Sequence, residues 1–128
     1  MPERNTQERE GAVFNYALAV GAIVSKGRIV MLDAGAAKPG SAIAAAKTVG
    51  IAQMSADQTA GDASVNVKRG TFLLKNSAGA DEITAADVLA DCFVVDDETV
   101  AKTDATATRP IAGRIEQVEG SGVWVTFA

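Results

Sequence analysis

The chain has 128 residues with 12 basic and 16 acidic side chains, a formal charge of -4, and its bases are scattered singly, which disfavours a nucleic-acid surface. Histidine is absent, removing the commonest general base and transition-metal ligand, and the single cysteine, Cys92, excludes an intrachain disulfide. Apolar residues make up 48%, yet 25 residues are alanine, so bulky side chains are scarce; one domain with one modestly stable core, open to oligomerisation, is expected.

Residues 1–11 carry no apolar side chain after Met1 and read as a flexible N-terminal arm ahead of a single β-rich domain over 12–128. Val13 to Val24 brings Val, Phe, Tyr, Leu and Ile into the chain, and Ser25-Lys26-Gly27 turns it. Ile29 to Leu32 is a strand whose apolar run implies burial on both faces, closed by Asp33-Ala34-Gly35. Pro39-Gly40 reads as a turn, Ala42 to Val49 as a strand ended by Gly50, and Ile51 to Met54 as a further extended piece. A polar loop follows from Ser55 to Ala63.

Val65 to Lys68 alternates apolar and polar, and with Thr71 to Lys75 across Arg69-Gly70 it reads as a hairpin. Thr84-Ala85-Ala86-Asp87 has the spacing of a helix start, with room for a turn or two. Cys92 to Val95 is a strand in which a small buried thiol fits, Asp96 to Thr99 an acidic turn, Val100 to Lys102 a return, and Thr103 to Arg109 a loop ahead of Pro110. Ile111 to Val118 and Val123 to Phe127 are strands around Glu119 to Gly122. In the last, Val123, Val125 and Phe127 share one face and Trp124 and Thr126 the other; a strand tryptophan is more often core than contact, but if those three fill the core Trp124 points outward, under a loop or into another subunit. The sum is seven to nine short strands with at most one short helix and no long internal repeat: a mainly β, small barrel or sandwich, β-tulip-like.

Chemistry finds little foothold. A Ser-His-Asp or Cys-His arrangement is impossible, and no nucleophile is flanked by a base, so no catalytic residue is expected and a small hydrolase is the remote alternative. Gly35 to Ser41 resembles a phosphate loop only superficially, because its lysine is misplaced and Pro39 lacks an N–H. Asp96-Asp97-Glu98 lacks the alternating ligands and central glycine of a calcium loop, so neither a metal nor a cofactor is expected. No apolar stretch approaches the ~20 residues that span a bilayer, and the N-terminus lacks a signal pattern, so a protein soluble and intracellular where it is made is expected.

Asp87-Val88-Leu89, Cys92 through Ala101, Arg109 through Ile115 and Gly122-Val123-Trp124-Val125, in that order, resemble the ending of the head decoration (capsid cement) proteins of tailed bacteriophages. Val20-Gly21-Ala22, Lys26 through Val30 and Val49 through Ala52 are similar to that family's N-terminal half, so the likeness covers nearly the whole chain. One departure is Ala85-Ala86 ahead of Asp91-Cys92-Phe93, where the family more often has a glycine turn, leaving the turn geometry open. The resemblance implies a virion protein on the outer capsid surface that partners the major capsid protein, forms a homotrimer and resists internal DNA pressure. It places capsid binding on the arm, at Arg4, Asn5, Thr6, Gln7 and Arg9, or leaves the arm a plain disordered terminus, with Trp124 a subunit-interface candidate. A head–tail connector or tail-tube subunit is the alternative. Function is then expected on exposed strand faces, with no pocket.

Overall fold

A computed structural model of the chain describes residues 13–127. It is mainly β, and the described residues form twelve strands: β1 (Val13–Ala17), β2 (Ile23–Val24), β3 (Ile29–Asp33), β4 (Ala36–Pro39), β5 (Lys47–Ala52), β6 (Ala56–Asp57), β7 (Ser64–Lys68), β8 (Gly70–Asn76), β9 (Asp91–Val94), β10 (Thr99–Ala101), β11 (Ile111–Glu119) and β12 (Gly122–Phe127). Helical structure is limited to three short 3-10 turns, one of them Ala85–Asp87. There the Asp87 carboxylate accepts the Thr84 N–H at 2.8 Å, so the spacing read from sequence caps a single turn.

The strands divide into two assemblies with the same order. Residues 13–68 form a five-stranded sheet, β1-β7-β5-β3-β4, and residues 70–127 a closed barrel, β8-β12-β11-β9-β10. Counterparts are β1 and β8, β7 and β12, β5 and β11, β3 and β9, β4 and β10. The registers agree as well: Phe14 faces Val67 as Phe72 faces Val125, and Ala52 faces Val67 as Ile115 faces Val125. The barrel closes by parallel pairing of β8 with β10, and the first half has a single parallel bridge at the matching place, Leu18 to Ala37.

Each half carries a β-bulge at matched positions, beside Gly50 in β5 and Gly113 in β11. A methyl group on Gly50 would collide with the Lys68 carbonyl oxygen, and one on Gly113 with that of Thr126. Both backbones therefore approach the next strand too closely for a side chain. An internal repeat is thus present where none was expected. Its trace in sequence is weak because the first half contains an insertion between β5 and β7 that supplies β6, which pairs with β2 of the β1–β3 connection, and the barrel has no matching ribbon among its described strands.

Other expectations change for physical reasons. β7 and β8 are not a hairpin: only Arg69 separates them, too short a link to reverse the chain, and Gly70 at φ +151° redirects it from the sheet into the barrel. Pro39 ends β4, an edge strand whose outer side carries a single bridge, at Ala37, among the described residues, so a missing N–H at Pro39 is tolerated. Ala42 to Ala46 is a loop, and the strand begins at Lys47 and runs through Gly50. The buried side chains form two clusters where one core was expected. Ile29 and Ile51 of the first half pack into the barrel cluster, and Arg28 pairs with Asp97 at 2.8 Å and Glu98 at 3.1 Å, so the halves are joined by apolar and ionic contacts.

Candidate functional site

An open groove of about 750 Å³ runs between the loop leading into β5 and the barrel strands β9 and β11, where no pocket was expected. Phe93, Pro110 and Ile111 supply its apolar surface, and Lys47, Arg114 and Asp91 stand among its lining residues. Residues of the β4–β5 loop and of the long loop before β11 both line it. That loop holds Ala105, Thr106 and Ala107 in succession in the left-handed region, φ +50°, +64° and +60°. Its shape is fixed by Thr108, whose hydroxyl donates to the carbonyls of Asp104 and Ala105, and by Arg109, which pairs with Asp81 at 3.2 Å and donates to the Thr103 carbonyl.

Two of the charged lining residues, Arg109 and Arg114, are committed within the chain. Hydrogen bonds from Thr103 and then Arg109 hold the Asp81 carboxyl below its ordinary value. Arg114 grips Glu116, whose carboxyl is lowered by that guanidinium and by the Thr126 hydroxyl. Lys47 has no ion-pair partner among the described residues. The Thr48 hydroxyl is buried without a hydrogen-bond partner, and no carboxylate or amine bonds to it that would activate it.

The acidic turn is likewise used internally. Asp96 accepts the N–H groups of Glu98 and Thr99 at 2.9 Å, Asp97 binds Arg28, and Glu98 binds Lys75 at 2.8 Å and Arg28. The Lys75 hydrogen bond, with Lys75 and Arg28 charge behind it, lowers the Glu98 carboxyl, and the Asp97 hydrogen bond raises Arg28. Among the described residues no group of three or more carboxylates and thiols is placed to hold a metal ion. Cys92 is buried in β9, and desolvation pushes its thiol up to about 12, leaving almost no thiolate at neutral pH. Gly35 to Ser41 is a hairpin turn and strand, with Lys38 paired to Asp33 at 3.2 Å.

Arg4, Asn5, Thr6, Gln7 and Arg9 lie outside the described residues. Trp124 stands on β12 opposite Leu73 of β8 and Gln117 of β11, half-buried, its indole N–H donating to the Glu119 carboxylate, while Val123, Val125 and Phe127 fill the barrel. The alternation along β12 is thus as read from sequence. What sequence reasoning missed is the groove and the exposure of Val88 and Leu89 in the turn before β9, whose geometry it had left open. The signal available was the missing glycine in that turn. Among the described residues no helix is long and apolar enough to cross a membrane. Neither a scan of family models nor searches of curated proteins and of solved structures returned a match for this chain.

Proposed function

We propose that this chain is a structural virion protein that binds the outer surface of an expanded phage capsid and stabilises it against the pressure of packaged DNA. The observation that carries the reading is the placement of β1, the first described strand, as the outermost strand of the five-stranded sheet, directly after the polar segment 1–11. An edge strand leaves room for the polar segment that precedes it in sequence to extend along another protein, and in this reading Arg4 and Arg9 pair with carboxylates of the major capsid protein. The ordered likeness of the turn motifs to decoration proteins supports the same role, as do exposed apolar side chains on both halves, among them Val13, Val20, Ile23 and Ile111. A homotrimer seated over several capsid subunits holds by summed modest contacts, since all must release together.

Deleting residues 1–11 tests the reading. Binding to expanded capsids should fall by about tenfold or more while the barrel stays folded, because one attachment per copy is removed. Unchanged binding would remove the arm from the mechanism. Density on the tail or portal, and none on the shell, in particles carrying this protein would replace the decoration role with a connector or tube role.

A further inference from the structure

The turn before β9 has a counterpart before β3, and the two differ at one telling residue. Gly27 donates its N–H to the Ala52 carbonyl, and Leu89 donates to that of Ile115, the residue matched to Ala52. Arg28 closes its turn on the Ser25 carbonyl, and Ala90 closes on that of Asp87. Gly27 sits at φ +84° and Leu89 at φ +75°. A left-handed conformation that costs glycine nothing is thus imposed on a leucine. Nothing in the fold repays it, since the Leu89 side chain is 67% exposed and outside both hydrophobic clusters. Val88 beside it and Ala85, Ala86 and Ala90 around it are also exposed.

We infer that Leu89 is the apolar knob of a self-association surface and inserts into the groove beside Phe93 and Ile111 of a second copy of this chain. Two features of the groove match this occupant. Its apolar lining includes Ile111, 53% exposed, which a branched aliphatic side chain would cover. Of its lining cations Arg109 and Arg114 are paired within the chain, and Lys47, without an ion-pair partner among the described residues, is opposite in sign to Glu82 and Asp87 of a knob segment that contains no base. Knob and groove adjoin, because Asp91 lines the groove two residues beyond Leu89, so one face both gives and receives. This does not rest on the capsid reading; a chain that never meets a capsid presents the same two surfaces.

The test uses the full chain with Leu89→Gly and Ile111→Lys, followed by sedimentation velocity and light scattering. Leu89→Gly restores the residue the turn favours, so its denaturation midpoint should rise, and lost association is then not lost folding. Each variant alone should self-associate at least about tenfold more weakly than the parent. An equimolar mixture should recover association, because an intact knob from one variant meets an intact groove from the other. A parent chain that is monomeric at all accessible concentrations overturns the inference. So does a Leu89→Gly chain that assembles like the parent, or a mixture that fails to recover. Loss of capsid binding by Leu89→Gly with self-association intact overturns it too and assigns the knob to the capsid, whereas loss of self-association with capsid binding intact supports it.

Discussion

Residues 13–68 and 70–127 share strand order, register and the two bulges, yet the first half is an open sheet and the second a closed barrel. The difference lies in what fills them. Among the described residues the first cluster contains Ala22, Ala37, Ala52 and Ala56, while the barrel cluster has the single alanine Ala112. At matched positions Ala52 stands where the barrel has Ile115, and Ala37 where it has Val100. The contrast is sharpest beside the matched phenylalanines. Phe72 packs against Phe127 with ring centroids 6.2 Å apart, whereas the position matched to Phe127 is Arg69, whose guanidinium lies 4.6 Å from the Phe14 centroid and donates to the Tyr16 hydroxyl. One backbone plan thus tolerates an apolar or a cationic filler, and the apolar one buries more surface.

Phe127→Ala should show the largest effect, a loss of about 3–5 kcal/mol in urea unfolding, against about 1–2 kcal/mol for Arg69→Ala. Equal losses would break the contrast between the halves. Next, Gly50→Ala and Gly113→Ala should each cost about 2–3 kcal/mol, Gly50→Ala slightly more because its φ of +142° also disfavours a side chain. A tolerated alanine at either glycine would show that the bulges are not equivalent.

Amide hydrogen exchange should find β5 and β7 opening at a free energy about 1–2 kcal/mol below β11 and β12, and uniform protection would merge the halves into one unit. Smaller still, Leu89→Gly should add about 0.5–1 kcal/mol, making the second turn behave like the first.

The last difference is electrostatic. Asp81, Glu98 and Glu116, all in the second half, have carboxyls held below their ordinary values. A lowered folded-state value stabilises above the unfolded carboxylate value of about 4 and is lost as pH falls through the folded value. Acid titration followed by Trp124 fluorescence should therefore show the barrel weakening only below about pH 4. Replacing Glu116 with Gln should flatten that slope.

Much of the architecture was legible along the chain. Ile29 to Leu32, Cys92 to Val95 and Val123 to Phe127 stand out because consecutive or alternating apolar residues have few alternatives to a buried strand. The two-residue period put Trp124 on the face opposite Val123, Val125 and Phe127, and the barrel core decided that this face is the outer one. The run Ala42 to Val49 misled, because alanine carries little information about burial. The groove was not legible, since Phe93 and Ile111 are brought together by β9–β11 pairing, and the wall over them depends on three left-handed residues of ordinary type.

By itself the sequence determined the β class, most strand positions, the absence of a histidine-based centre and the polar character of residues 1–11, because these depend on residue type and local period. Only the tertiary structure decided that the strands form two matched sets, that β7 and β8 part company at Arg69, and that Leu89 occupies a glycine's place. Strand pairing joins residues far apart in the chain, and a backbone dihedral forced by such pairing leaves no mark on the residue that adopts it.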